Sequence, residues 1–534
     1  MGEPLSTFEF DPSVPPCGSI HDWLFYNAKA IPDRPAFLFT DGAPPLTWPD
    51  LLSGARKVAM AIGAQGIGKG ESVAIMMPNS REAVLAFFGT VIGGFRSTLI
   101  NLVAGDSAIA YALGHSGARL AFVGSGQREA FNRVRPPGLE SMVLAEALQT
   151  APKPSPDLLP LDPSDDALLM YTSGTTGRPK GVVHSHASLL AGGWTPTVAH
   201  RLSTDDRGYC VLPIYHINGL CVTVMGTVIS GATLVMAPRF SLRRFWDDVE
   251  RHEVTWFSVV PTIISHLLHS ETVPPPAVRT RVRFARSASA PLPVETQKAF
   301  EARFTVPIIE TMGLTEAAAQ ILSNPLPPGR RKIGSPGFAH GNAARIILAD
   351  GGPAPVGAEG EIIVSGPNIM SRYLKDPDAT QAVFTDDGWL RTGDLGCQDA
   401  AGYIVVTGRL KELIIKGGEN IAPREIDEVL YAHSDVVEAA AFGMPCQVYG
   451  ERVEAAVRLR GDSVATAQTI GDHCRARLGA FKAPERIHIL ASLPKGPSGK
   501  IQRLALKGCL EPKSAATAPA EPDGVHRLED DTLY

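Results

Sequence analysis

The 534 residues exceed what one compact core holds, about 250–300 residues, so at least two domains are expected. Apolar residues make up 44% and charged residues 20%, as in a soluble globular chain, and a net charge of −5 supplies no basic field for nucleic acid. Seven scattered cysteines form no C-x-x-C pair, which argues against a disulfide framework or a zinc site and for a reducing, cytoplasmic compartment.

The first residues lack a basic stretch followed by an apolar run, so no signal peptide is expected. Thr47-Trp48-Pro49-Asp50 then reads as a helix start: a capping hydroxyl, a proline in the first turn, a carboxylate. Leu51, Ala55, Val58, Ala59 and Ile62 follow at helical spacing. Ser72–Met77 reads as a buried strand and Arg81–Val91 as a helix. This alternation predicts an α/β fold with a helix-covered sheet. Gly66, Gly68 and Gly70 follow a helix and precede a strand, the reverse of a dinucleotide fingerprint.

The proline-rich stretch from Ala151 to Pro163 reads as a surface linker. An apolar strand, Ala167–Met170, leads out of it into Tyr171-Thr172-Ser173-Gly174-Thr175-Thr176-Gly177-Arg178-Pro179-Lys180-Gly181. Glycines let backbone N–H groups approach phosphate oxygens closely, hydroxyls donate to them, and Lys180 and Arg178 supply charge. Polyphosphate is the ligand this chemistry suits. The loop is not a Walker A motif, because the Gly-Lys-Ser/Thr ending is missing. Further on, the uncharged run Leu220–Ala237 approaches membrane-span length but holds Gly226, Ser230, Gly231 and Thr233. It reads as a buried strand–turn–strand, with no stable membrane insertion.

In residue order the loop resembles the signature of the adenylate-forming superfamily, which includes acyl-CoA synthetases, coumarate ligases, luciferase and peptide-synthetase adenylation domains. The resemblance spans roughly residues 20–510. It implies a large N-terminal domain of helix-covered mixed sheets, residues 1–410, and a small mobile α+β domain, residues 411–512. The Ala-, Pro- and acid-rich tail 513–534 reads as disordered. ATP, Mg²⁺, a small carboxylate and coenzyme A are the implied reactants and cofactor of an acid–thiol ligase.

Individual motifs carry the implied roles. The loop Thr172, Ser173, Gly174, Thr175, Thr176, Gly177 and Lys180 is expected on the ATP phosphates. Glu310-Thr311-Met312-Gly313-Leu314-Thr315-Glu316 resembles the second nucleotide motif, with Thr315 on the adenylate phosphate and Glu316 on Mg²⁺. Met312 stands where the family usually has an aromatic residue against adenine. Asp394 offers two acceptor oxygens to the ribose hydroxyls, Arg409 is expected on ribose or phosphate, and Lys411 falls at the hinge. Lys416, Gly417, Gly418 and Glu419 resemble the loop that lines the thiol tunnel. Lys500, in Lys495-Gly496-Pro497-Ser498-Gly499-Lys500-Ile501, is the expected catalytic lysine of adenylation.

The acid pocket is expected around His216, Arg286, Ser289 and Ala319, and these stretches look most like the oxalate– and malonate–CoA ligase branch. His216, Arg286 and Ser289 could form a cationic end for a second acidic group. In the other reading, His216 gates the site and Arg286 is structural. Oxalate ligases carry histidine where Ala319 aligns, which favours a slightly larger acid such as malonate or sulfoacetate; a medium-chain fatty or aryl acid is the alternative. Lys500, Glu316 and Asp394 are all present, against a catalytically dead paralogue, and no carrier-protein sequence follows Lys500, against a peptide-synthetase module.

Overall fold

A computed structural model describes residues 11, 13–150, 158–172, 179–496 and 501–510. Among these residues the chain forms four sheets. The helix expected after Thr47 runs Trp48–Ala64, with Thr47 and Asp50 in a reciprocal capping box. Its apolar stripe is buried, and the helix packs on Arg81–Ile92. Ser72–Met76 is the predicted strand; it pairs in parallel with both Arg96–Leu99 and Leu120–Val123 in the interior of a seven-stranded sheet. Helices on its faces bury every residue of Ser72–Met76.

The second large sheet has nine strands and carries Arg207–Cys210, Trp256–Val259, Phe284–Ser287 and Ile308–Leu314 in parallel register. The run Leu220–Ala237 corrects an expectation. Its first half is helical, a π-helix Asn218–Met225 continuing into Gly226–Ser230, and only Thr233–Met236 is a strand. Every residue from Asn218 to Ser230 is buried, so no periodicity distinguished helix from strand. No helix among the described residues is long and apolar enough to cross a membrane.

A four-stranded antiparallel sheet follows, ending in Leu390–Gln398 and Ile404–Arg409. Beyond it, residues from Ile414 onward build a five-stranded sheet with its own core, including Ile426, Leu430, Val453 and Ile470. Its long strands Val436–Cys446 and Gly450–Leu459 pair antiparallel, and the helices Pro423–Tyr431 and Ala467–Lys482 belong to the same unit. A third helix, Arg503–Leu510, was not foreseen; it packs Leu506 against Phe442 and Leu493. The tail 513–534 and the first part of the proline-rich stretch lie outside the described residues.

Candidate active site

Two paired strands flank the phosphate-loop motif. Asp166–Thr172 and Lys180–Ser185 run antiparallel, and Thr172 is the register partner of Lys180. Ser173, Gly174, Thr175, Thr176 and Gly177 lie outside the described residues, so the structure places the two ends of the motif. The Lys180 ammonium sits 4.7 Å from the centre of the Tyr373 ring. The Tyr373 hydroxyl in turn donates to Glu316 Oε1 at 2.8 Å. Burial, then the neighbouring Glu316 charge, push the Tyr373 phenol well up, so it stays a donor. One side chain thus links the cationic end of the phosphate loop to the carboxylate expected on Mg²⁺.

Among the described residues no group of three or more His, Cys, Asp or Glu side chains could cage a metal ion. A single carboxylate is what Mg²⁺ needs when phosphate oxygens and waters complete its shell. Glu316 fits that description, since Oε1 takes Tyr373 and Oε2 has no hydrogen-bond partner among the described residues.

Thr315 and Glu316 open a 3₁₀ turn, Thr315–Ala317. His184 fixes that turn, with Nε2 donating to the Thr315 carbonyl at 2.7 Å and Nδ1 taking Ser188 Oγ at 3.1 Å. Upstream, Gly313 lies so close to the next strand that a Cβ there would sit 1.5 Å from the Ala319 carbonyl oxygen, so only glycine fits. Thr311 Oγ1 donates to the Ser287 carbonyl, and Met312 packs with Val182, Ile321 and Leu322. Glu310 is buried; its Oε2 lacks a partner and burial raises its pKa.

Asp394 and Arg409 face each other on adjacent strands, with Arg409 Nε donating to Asp394 Oδ1 at 2.5 Å and Nη2 to Oδ2 at 3.3 Å. Both line a cavity of about 200 Å³ together with Ser289 and Met312. Its opposite wall comes from the C-terminal sheet and helices, including Arg424, Ile501 and Arg503. Lys500 lies outside the described residues, but its neighbour Ile501 bridges to Lys495, and Lys495 Nζ donates to the buried Glu438 at 2.7 Å. Lys411 is exposed in the turn Leu410–Glu412. Lys416, Gly417, Gly418 and Glu419 do not line the cavity. Gly417, Gly418 and Glu419 are exposed, whereas the Lys416 ammonium is buried and turns back to Phe481 O and Glu485, both at 2.9 Å. In this arrangement Lys416 anchors its loop and does not reach outward.

Of the residues expected around the acid, Arg286 and Ser289 are joined through Asn218, and Arg286 also reaches Gln320, the chain neighbour of Ala319. Arg286 is 1% exposed, and burial pushes its guanidinium down to about 9. Nη1 donates to Asn218 Oδ1 at 2.7 Å and to Ser258 Oγ at 3.2 Å, and Nε donates to Gln320 Oε1 at 3.2 Å. Among the described residues no carboxylate pairs with it. Asn218 Nδ2 then donates to Ser289 Oγ at 3.3 Å, on the cavity wall. His216 lies two residues before Asn218, its ring edge-on to Tyr215. Ser289 and Ala319 both hold positive φ, 73° and 83°, strain that concentrates at this end of the site. Asn218, at the start of the helix Asn218–Met225, and Gln320, on the strand Ala319–Ser323, carry no motif, and only tertiary packing reveals them.

The family model for AMP-binding enzymes matches residues 24–374, and the model for the AMP-binding enzyme C-terminal domain matches residues 425–500. The sulfoacetate–CoA ligase of Cupriavidus necator is 45% identical over 489 residues, 90% of this chain and 96% of that protein. The oxalate–CoA ligase of Arabidopsis thaliana is 34% identical, covering 89% of this chain and 95% of that one. The ATP-bound structure of MatB from Rhodopseudomonas palustris superposes with a TM-score of 0.85 at 28% identity, over 92% of this chain and 99% of that one.

Proposed function

Because this chain belongs to the AMP-binding enzyme family and is an AMP-forming acid–thiol ligase, we propose that its acid is short and carries a second anionic group. The observation that carries this reading is Arg286, a guanidinium in the core with neutral partners only. An uncompensated buried charge is costly, and a ligand anion would relieve that cost. Asn218 connects Arg286 to Ser289 on the cavity wall, so the cation lies behind the place where the acid would sit. The sulfoacetate– and oxalate–CoA ligase names of two relatives support the same class, and the small Ala319 side chain favours an acid larger than oxalate.

In the first step a carboxylate oxygen of the acid attacks the ATP α-phosphorus, and the bond to the pyrophosphate oxygen breaks. Lys180 would hold the departing phosphates, Asp394 the ribose, and Thr315 the α-phosphate. Bound at Glu316, Mg²⁺ supplies neutralisation of phosphate charge. In the second step the coenzyme A sulfur attacks the acyl carbon, AMP leaves, and the thiol proton passes to solvent. We read residues 411–512 as a domain that turns about Lys411 between the steps. Ile501 and Arg503 on the cavity wall, with Gly417 and Gly418 turned to solvent, fit the orientation for adenylate formation. A cytoplasmic location fits these reactants.

Pyrophosphate release is to be measured with sulfoacetate, malonate, oxalate, medium-chain fatty acids and aryl acids. A response to the short dianionic acids is expected. A response to fatty or aromatic acids alone would sink the small-anion reading.

A further inference from the structure

The helix Pro423–Tyr431 places Arg424 and Glu428 one turn apart on the face turned toward the nucleotide cavity. Arg424 is largely buried, its side chain 13% exposed, and it reaches back across the hinge turn. Its Nη1 donates to the Val406 carbonyl at 2.5 Å, and its Nη2 stands 3.8 Å from Glu310 Oε1. Its Nε stands 3.8 Å from Glu428 Oε1. Glu428 makes a second crossing: its Oε2 accepts from Val294 N at 3.3 Å, at the first turn of the helix Val294–Phe304. Glu310 belongs to the second nucleotide motif and lines the cavity. Its Oε2 has no partner among the described residues.

From these contacts we infer that Arg424 is a positioning residue for adenylate formation, tethering the C-terminal domain to Glu310 and so holding Ile501 and Arg503 against the nucleotide cavity. The inference rests on the reading of the chain as a two-step ligase with a turning domain. A guanidinium suits the task, because its planar fork serves a carbonyl and two carboxylates at once. When the domain turns away, the carbonyl of Val406 and the carboxylate of Glu310 lose this partner together. The tether therefore biases one orientation and drops out of the other. It also joins the nucleotide motif to domain orientation through one side chain.

The test uses the full-length chain with sulfoacetate as the acid. ATP–pyrophosphate exchange reads the first half-reaction, and AMP release from pre-formed acyl-adenylate with coenzyme A reads the second. Arg424→Ala should slow exchange about tenfold, as expected for loss of one partly buried charge-assisted contact, and leave AMP release within about twofold. Arg424→Lys should recover part of the loss; a lysine variant as slow as alanine counts against charge pairing. Equal loss in both half-reactions, or loss in neither, overturns the proposal. Spin labels on Val356→Cys and Val464→Cys, with Cys17, Cys397, Cys446 and Cys509 replaced by serine, report domain separation without any acid. With ATP, one dominant distance is expected in the parent and a second population in Arg424→Ala, and an unchanged distribution overturns the tether. Should the distances shift while no acid supports exchange in the parent, the ligase reading fails and the tether stands.

Discussion

Arg409 Nε donates to Asp394 Oδ1 across 2.5 Å, so two side chains expected on the same nucleotide are paired with each other. They are register partners on neighbouring strands, and the side chain of Asp394 is 8% exposed against 43% for Arg409. The carboxylate is therefore held by its partner, and the guanidinium is the more accessible of the two. Asp394→Asn keeps the shape and removes the charge-assisted acceptor. The expected outcome is a KM for ATP at least about tenfold higher, with a melting temperature close to the parent. Unchanged ATP saturation would remove Asp394 from the ribose site.

Arg286→Met tests the distal anion site. Removing one side of a buried, hydrogen-bonded charge pair costs about 2–5 kcal/mol in bound complexes. Activity toward sulfoacetate or malonate, as kcat/KM, should fall by at least about thirtyfold on that scale, while simple monocarboxylates lose little. A parallel fall for both classes would make Arg286 a structural residue.

Lys500→Ala separates the two half-reactions. Adenylate formation should be crippled, because a cation facing the developing phosphate charge is gone. Thioester formation from pre-formed acyl-adenylate should be spared. Equal loss in both would refute the assignment.

Tyr373→Phe removes the hydroxyl that holds Glu316. The carboxylate then loses its orienting donor while Lys180 keeps an aromatic ring to lie against. A several-fold lower kcat, with half-maximal activity at a higher Mg²⁺ concentration, is expected from an oriented ligand left loose. An unchanged Mg²⁺ titration would separate Tyr373 from the metal.

Stability should depend on pH through three buried histidines. Burial pushes His184 and His186 down to about 4, and His200 well below its ordinary value. The unfolded chain, with imidazoles near about 6.5, takes up protons that the folded chain refuses. Their contribution is complete above the unfolded value and is lost as pH falls toward 4. Each adds a slope of up to about 1.4 kcal/mol per pH unit within that window. Urea midpoints at pH 7, 6 and 5 should therefore fall, and a flat series would contradict neutral burial.

The part of the site legible in the sequence is the part made of short, contiguous segments. A strand leading into a glycine–hydroxyl–lysine run, a Thr-Glu pair, a Gly-Asp pair and a late lysine are each local; the first has a chemical reason for its composition, and the others take their expected roles from the family resemblance. Capping and periodicity likewise marked the helix Trp48–Ala64, because Thr47, Asp50 and the apolar stripe lie within a few turns of one another. The helical half of Leu220–Ala237 was hidden because a segment buried on every side carries no period.

By itself the sequence identified the family and set the expectations for the site: a loop suited to polyphosphate, a carboxylate for a metal, a carboxylate for ribose, a late lysine and the order in which the chain delivers them. Only the tertiary structure decided which groups meet. Tyr373 reaches Glu316 across 57 residues, Asn218 reaches Arg286 across 68, and Glu428 reaches Val294 across 134. Such pairs are set by how helices, turns and strands distant in the chain pack together and by the placement of the C-terminal segment, and no local pattern encodes either. Whether Arg286 has a counter-charge is likewise a property of the packed core, since one carboxylate within reach would have made it structural.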